Sequence, residues 1–321
     1  MNRYIIQGIL AMLFSSFLFS LMSAEAKVLM QTLPAMEVAF FRGFTMLLLL
    51  LPILIKSPLK SPKHKNGGWF FLLSRSITGG LSFIAFFYNI ATISLGTATA
   101  FAQSMPLYIV LLSLIFLRER FNLGVICATI IGFGGILLIC NPQVEGIGIL
   151  NIIFGIISGL CMAIAFLNLR ALKDYFNAWV AVFATGVAMS LITLAIWLCN
   201  IAPFNNAWAM PRGLEWLHIG LLGIFGTLGQ HYLTRAYMLA PAGIVAPIDY
   251  TRLVFSIFLG ILLGDSLPNL TTSVGIVLIV LAGIGVGLPI LLADMKHCTK
   301  LSSSFRAKES TIPAKKPKKD S

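Results

Sequence analysis

The stretch 246–252, with the sequence APIDYTR, places an acid and a base inside a long apolar run. An ionised carboxylate and a guanidinium are costly in such a run unless they have partners or water, so Asp249 and Arg252 are functional candidates. Their spacing puts both on one face of a helix, where they could pair. Pro247 lacks a backbone N–H, so it interrupts the helix and frees backbone groups that could line a cavity.

A second polar stretch with a proline, FAQSMP at 101–106, lies in an earlier apolar run. We interpret the two stretches as two sides of one intramembrane site for a small polar or zwitterionic molecule. The candidate substrate-binding residues are Asp249, Arg252, Tyr250, Gln103, Ser104, Arg42, Tyr88 and Asn89. For the charged ones a structural alternative stays open, because an intramembrane ion pair can also lock one helix to a neighbour.

The composition predicts an all-α polytopic membrane protein. The chain has 321 residues, 58% hydrophobic and 11% charged, whereas soluble domains carry about 25% charged residues. A membrane-crossing helix needs about 20 apolar residues. Ten runs fit, at 4–24, 33–55, 69–93, from the turn at 95–97 to 117, and at 123–140, 147–169, 178–199, 214–239, 243–263 and 270–292. We call them spans one to ten, and expect Glu25 and Lys27 in the link after span one.

The basic residues predict the orientation of the chain. With the N-terminus in the cytoplasm, nine Lys or Arg of the loops and N-terminus lie inside, and only Lys27 and Arg212 lie in outward loops. The positive-inside rule favours this arrangement, with both termini cytoplasmic. A further eight Lys or Arg lie after residue 292. The net charge of +12 therefore indicates a basic, disordered cytoplasmic tail at 293–321 rather than a nucleic-acid partner.

The chain contains an internal repeat. Residues 91–119 and 236–265 share a pattern of helix end, turn, helix with a proline, and then an acid. We therefore divide the chain into two five-span halves, 1–142 and 143–292. Because five is odd, the second half enters the membrane inverted relative to the first. Inverted repeats are typical of transporters that work by alternating access, with the site near the midplane between the repeats.

Five short motifs resemble the drug/metabolite transporter superfamily, specifically its ten-helix EamA type. They are FFR at 40–42, LRE at 117–119, TRAY at 234–237, AP at 240–241 with VAP at 245–247, and LLGD at 262–265. Many members carry a Gly-Glu pair at the last place, where this chain has aspartate. The resemblance covers about 8–292 and implies transport of a small metabolite across a bacterial inner membrane. The sequence DYTR at 249–252 is similar to a subgroup that includes S-adenosylmethionine and riboflavin uptake carriers.

Four further residues are candidates for gating or coupling: His231, Arg235, Glu119 and Asp265. The pKa of histidine suits it to carry a coupled proton, although a hydrogen-bonded packing histidine is the plainer interpretation. Arg75 and Arg235 lie near predicted helix ends, where long side chains reach water. Glu119 and Asp265 are better placed as loop caps or gate partners than as substrate ligands.

Two other functions remain as alternatives, a membrane-embedded lipid-modifying enzyme and a channel. The chain has no HExxH, GxSxG or glycine-rich phosphate motif, which argues against an enzyme. A channel would favour rings of like residues. We expect no cofactor and no metal site, and as partners a small-molecule substrate and membrane lipids. A complete two-half chain can work as a monomer or a homodimer.

Overall fold

The fold is a bundle of helices. The computed structural model describes residues 3–56, 67–112, 115, 123–139, 147–172, 175–204, 207–239, 248–282 and 284–285. Within these residues we number the helices α1 (Arg3–Leu29), α2 (Ala35–Lys56), α3 (Trp69–Thr92), α4 (Leu95–Gln103), α5 (Met105–Leu112), α6 (Leu123–Ile139), α7 (Ile149–Leu172), α8 (Ala178–Leu198), α9 (Glu215–Leu239), α10 (Thr251–Leu262) and α11 (Leu270–Ala282). The predicted all-helical architecture is confirmed.

The helices correspond to the ten predicted spans. Span four consists of α4 and α5 together, and every other span contains one helix. In the described part of the chain, six spans are long and apolar enough to cross a membrane: one to four, six and seven. Three others hold shorter apolar helices, and α9 is long but more polar.

Helix α1 is longer than the sequence predicts. It continues past residue 24 to Leu29, so Glu25 and Lys27 lie on its last turns rather than in a link. Both side chains find partners across the bundle, Glu25 with His218 and Lys27 with Asp265. The expectation was wrong because these charges are neutralised by distant residues, which an isolated reading of span one does not include.

The helix contacts of the first half are mirrored in the second. Helix α1 (span one) packs on α9 (span eight), and α7 (span six) packs on α3 (span three). The contact of α1 with α10 is matched by that of α7 with α4 and α5. Helices α2 and α8 meet each other, as do α4 and α10. Exchanging the two halves therefore reproduces the packing, with each half built largely against the other.

Glycines allow the closest of these contacts. A Cβ added to Gly96 at the start of α4 would lie 2.6 Å from Ile257 Cγ1 in α10. A Cβ on Gly135 in α6 would lie 2.7 Å from the carbonyl oxygen of Gly275 in α11. Small residues commonly provide such approaches between spans, so α4 is held tightly against α10, where the two polar stretches of the sequence lie.

Candidate functional site

A cavity lies in the core where span four faces span nine. Its volume is about 30 Å³, room for little more than a water molecule in this conformation. Side chains from α1, α3, α4, α5, α7, α9 and α10 contribute to its wall, whose apolar part is mostly phenylalanine and methionine. Its polar and charged lining residues are Arg75, Ser82, Gln103, Gln230, Asp249 and Arg252.

Span four is interrupted at Ser104, beside this cavity. Helix α4 ends at Gln103, and α5 begins at Met105. Pro106 has no N–H to give to the preceding turn, and the backbone tightens instead. The N–H of Ser104 donates to the Phe101 carbonyl at 3.3 Å, and the N–H of Leu107 donates to the Ser104 carbonyl at 3.0 Å. The predicted interruption of span four is therefore present.

Span nine contains a turn opposite the interruption of span four. Residues 248 and 249 are helical, Tyr250 is in a turn, and α10 begins at Thr251. The Thr251 hydroxyl donates to the Ile248 carbonyl at 2.7 Å, and the Leu253 N–H donates to the Tyr250 carbonyl at 3.0 Å. Pro247 lies outside the described residues. Span nine therefore contains a turn immediately after Asp249, the residue that faces span four.

The two interruptions are joined by a hydrogen bond. Gln103 Nε2 donates to the backbone carbonyl oxygen of Asp249 at 2.9 Å. A side-chain amide at the end of one helix segment thus satisfies a carbonyl next to the turn in the other span. The two polar stretches singled out in the sequence are therefore neighbours in space.

The Asp249 and Arg252 side chains do not form an ion pair with each other. In the described residues the ion pairs join Lys27 to Asp265 and His218 to Glu25, and Asp249 and Arg252 form none. Asp249 Oδ1 instead accepts a hydrogen bond from Ser16 Oγ at 2.9 Å. The pairing that their spacing allows is not made, and the Asp249 carboxylate contacts α1 instead.

Serines of α1 hold this part of span nine. Besides the contact of Ser16 with Asp249, Ser20 Oγ lies 3.1 Å from the backbone carbonyl oxygen of Arg252. Ser256 Oγ lies 3.3 Å from Ser20 Oγ. The sequence contained the signal, since Ser16, Ser20 and Ser23 lie at helical spacing along an apolar run. That spacing puts them on one face of α1.

Three arginines are buried in the core: Arg42 (1% exposed), Arg75 (3%) and Arg252 (7%). The guanidinium of Arg252 lies 4.7 Å from the ring centre of Phe19 and 5.4 Å from that of Phe86. Aromatic faces attract cations and partly offset the loss of water. Arg75 and Arg252 line the cavity. The sequence predicted that Arg75 lies at a helix end in contact with water, and this prediction was wrong, because the side chain is buried.

Arg42 lies apart from the cavity wall. Its Nε contacts Met22 Sδ at 3.0 Å, its Nη1 contacts Met189 Sδ at 3.5 Å, and its guanidinium lies 3.7 Å from the ring centre of Phe83. Thioether sulfurs are weak acceptors. Arg42 does not pair with Glu37, the acid on the same helix, whose Oε2 accepts from the N–H of Ala209 at 2.9 Å.

The remaining substrate-binding candidates lie outside the cavity lining. Asn89 donates from Nδ2 to the Asn151 carbonyl at 3.1 Å, joining α3 to α7. The Tyr88 ring packs 4.5 Å from Phe154, centre to centre. Ser104 Oγ donates to the Phe101 carbonyl at 2.5 Å, and Tyr250 is buried. These contacts give each residue a role in the frame around the cavity.

The gating and coupling candidates that the structure describes lie at two separate places. The His231 ring stacks on Trp179, with ring centres 4.4 Å apart, and Arg235 is exposed four residues further along α9. Asp265 contacts Lys27 and accepts from the N–H of Leu95 at 2.8 Å. Glu119 lies outside the described residues.

Asp265 closes one end of the bundle. Its carboxylate caps the first turn of α4, while the Lys27 ammonium also donates to the carbonyl oxygen of Ile93 at 3.3 Å. A small polar recess lined by Lys27, Thr92, Ser94 and Asp265 lies at this point. Helices α1, α3 and α4 and the turn after α10 are thereby connected by one charged contact.

The chain is similar to known transporters over nearly its whole length. The sequence model of the EamA-like transporter family matches residues 6–141 and 149–288. An uncharacterized transporter of Helicobacter pylori (strain J99) is 42% identical over 296 residues, covering 92% of this chain and 99% of that protein. The pseudopaline exporter CntI of Pseudomonas aeruginosa is 31% identical, covering 87% and 95%. An S-adenosylmethionine uptake transporter of Rickettsia bellii is 27% identical, covering 82% and 89%.

Proposed function

The chain belongs to the EamA-like transporter family, and on that premise we propose that it is a secondary transporter for a small polar metabolite, working by alternating access. Its relatives are transporters and not enzymes. The cargo binds in the cavity between spans four and nine, and the membrane is the bacterial inner membrane. The termini face the cytoplasm, as the distribution of basic residues favours.

The observation that carries this proposal is the meeting of two interrupted spans at one cavity. Discontinuous helices at the interface of repeats are characteristic of transporter binding sites, because they expose backbone groups where regular helices cannot. Here the interruption at Ser104 faces the turn at Tyr250, and Gln103 bridges them at 2.9 Å. Asp249, Gln103 and Arg252 are the principal substrate-binding residues, with the other candidates holding them in place.

The mirrored packing supports the proposal of alternating access. The proposed repeats are 1–142 and 143–292, inverted relative to each other, followed by a cytoplasmic tail at 293–321. Because the largest helix contacts of one half have counterparts in the other, similar movements can open the cavity at either end. The substrate shifts the balance between the conformations open at the two ends only if it binds one of them more tightly.

The contact of Lys27 with Asp265 is the proposed gate at the outer end. In the orientation that the basic residues favour, Lys27 is an outward residue, and the cap that Asp265 places on α4 closes that side. Glu119 occupies the corresponding place in the first half, at the inner end. His231 and Arg235 are assigned to coupling on the inner half of α9.

The cargo is an amino acid-like molecule, an S-adenosylmethionine-like molecule or a vitamin. Two relatives carry different cargo in opposite directions, one an exporter of pseudopaline and the other an uptake transporter of S-adenosylmethionine. The cargo class therefore rests on the site, where the described lining offers two guanidinium groups, a carboxylate and two amides. Such a lining suits a molecule with several charges. The chain acts as a monomer or homodimer within its lipid surroundings.

The test compares metabolites inside and outside cells that produce the chain. Cells with the full-length protein, with Asp249→Asn or with Glu215→Gln are profiled by mass spectrometry after equal membrane insertion has been verified. Glu215 is the matched control, because its carboxylate lies at the start of α9, outside the cavity lining. We expect at least one polar metabolite to change with the unaltered chain and with Glu215→Gln, and to return to the background level with Asp249→Asn.

Two results would count against the proposal. If no metabolite differs between producing and non-producing cells under varied nutrient supply, transport of a small polar metabolite fails. If the difference persists with Asp249→Asn, transport stands and the site between spans four and nine fails. Saturation of the flux with rising cargo concentration separates a carrier from a channel.

A further inference from the structure

We infer that Arg75 and Arg252 together bind a carboxylate of the transported molecule, an inference that rests on the proposed transport function. The two residues come from α3 and α10, which belong to different halves of the chain. Both line the cavity. A carboxylate between them would therefore link the halves at the point where the cargo must be held.

Three donor nitrogens of these arginines are buried without an acceptor in the described part of the protein. Arg75 is 3% exposed and Arg252 is 7% exposed. Arg75 Nε and Nη1 and Arg252 Nε have no hydrogen-bond partner among the described residues. A buried charged donor without an acceptor is strongly unfavourable, and native proteins retain few of them without a functional reason. Two such guanidinium groups at one cavity indicate an anionic ligand.

Among the described residues, no carboxylate forms an ion pair with either guanidinium group. Phe19 and Phe86 face Arg252, and the Phe166 ring centre lies 5.9 Å from the guanidinium carbon of Arg75. Aromatic faces attract a cation but offer no hydrogen-bond acceptor of carboxylate strength. Asp249, the one acid in the described lining, gives an oxygen to Ser16 and makes no ion pair with either arginine.

The balance of charge favours a carboxylate over a phosphate. Two arginines and one aspartate give the described lining an excess of one positive charge. A carboxylate carries a single negative charge and two coplanar oxygens, which match the planar donors of arginine. A phosphate ester carries up to two negative charges and would leave the site negative. Asp249 then remains available to a cationic group on the same cargo, such as an amine.

The test measures binding to the purified full-length protein by the shift of its thermal unfolding midpoint. The probes are the standard amino acids and S-adenosylmethionine, each paired with its carboxamide or decarboxylated counterpart, together with inorganic phosphate and polyamines at constant ionic strength. A ligand that binds the folded state raises the midpoint by mass action. We expect at least one carboxylate probe to raise it and the counterpart that lacks the carboxylate to have a much smaller effect.

Substitutions connect this preference to the two arginines. We expect Arg75→Met and Arg252→Met each to weaken binding of the carboxylate probe about tenfold or more, because a charged hydrogen bond is lost. Arg75→Lys keeps the charge without the planar donors, so its affinity for the carboxylate probe should lie between those of the unaltered chain and Arg75→Met. Exposed Arg212→Met is the matched control and should bind as the unaltered chain does. The ratio of affinities for a carboxylate and its amide should fall towards one only in the cavity variants.

A second measurement needs no ligand. Replacing an unpartnered buried charge by an apolar side chain of similar length should leave the unfolding midpoint unchanged or raise it. If Arg75→Met and Arg252→Met both unfold well below the Arg212→Met control, the arginines hold the fold together, and the subsite is overturned.

The outcomes separate this inference from the proposed function. A shift caused by phosphate alone, or by polyamines alone, overturns the carboxylate while leaving transport intact. If no carboxylate probe shifts the unaltered protein, the carboxylate subsite fails, and the metabolite profiling described above judges transport on its own. If carboxylates shift the unaltered protein and Arg75→Met equally, the assignment of Arg75 fails.

Discussion

The contact between Asp265 and the start of α4 can be tested in numerical detail. The first N–H groups of a helix have no partner within the helix, and Asp265 Oδ2 accepts the one from Leu95 at 2.8 Å. A hydrogen bond to a charged acceptor contributes about 1.5–3 kcal/mol. The Lys27 contact adds about 1 kcal/mol or less, since the two side chains are still 18% and 15% exposed. Asp265→Ala should therefore destabilise this end of α4 by about 2–4 kcal/mol.

The assay is hydrogen exchange of the backbone amides at the start of α4, which reports the free energy of local opening. For Asp265→Ala, exchange at Leu95 should be roughly 30- to 1,000-fold faster. Asp265→Asn keeps an acceptor oxygen but loses the charge, so its effect should be smaller. The control is Glu215→Gln, where a carboxylate accepts from the Arg212 N–H at 2.6 Å at the start of α9.

One result would refute this reasoning. If exchange at Leu95 in Asp265→Ala stays within about twofold of the unaltered chain, the carboxylate does not hold α4. The assigned gate would then have no energetic basis. A general increase in exchange along α1, α3 and α4 would instead indicate that the variant opens the whole bundle, and the thermal midpoint would fall with it.

Three further outcomes are expected. Asn151→Ala removes the α7 amide that donates to Asn89 Oδ1 at 3.3 Å and to Thr92 Oγ1 at 2.5 Å in α3, and should lower the free energy of unfolding by about 1–3 kcal/mol, which thermal unfolding in detergent will measure. Gly96→Val puts a Cβ 2.6 Å from Ile257 and should cost about 1–3 kcal/mol, and a second change, Ile257→Ala, should recover part of it. Gln103→Leu removes the amide that joins spans four and nine, so transport should fall while the amount of inserted protein, followed by membrane immunoblotting, stays constant.

The sequence was sufficient to predict the part of the site that follows from the repeat. Gln103 and Asp249 each lie at a polar interruption of an apolar run. Polar backbone in the membrane must be shielded by protein or line a cavity. That requirement, together with the repeat, brought the two stretches together before any contact was known, and the hydrogen bond between them confirms their proximity.

The sequence was insufficient to predict the burial of a side chain whose position depends on packing between helices. Arg75 lies near the start of span three, and its position along the chain suggested a helix end in contact with water. The side chain instead lies against Gly79, where an added Cβ would be 2.5 Å from Arg75 Nη1, and it points into the core. The direction of a long flexible side chain is fixed by its neighbours on other helices, such as Phe166, and no local pattern encodes it.

The interleaved packing of the two halves has a consequence for how the chain is made. The ribosome completes α1 and α3 long before their principal neighbours, α9 and α7, exist. At the usual rate of synthesis, α1 waits about 10–40 s for α9 to begin. During that interval the serine-bearing face of α1 can contact only lipid, the translocon or a chaperone. Fragments cut at the midpoint would lack most of their native neighbours, and co-expression of both fragments is the condition under which either one can complete its core.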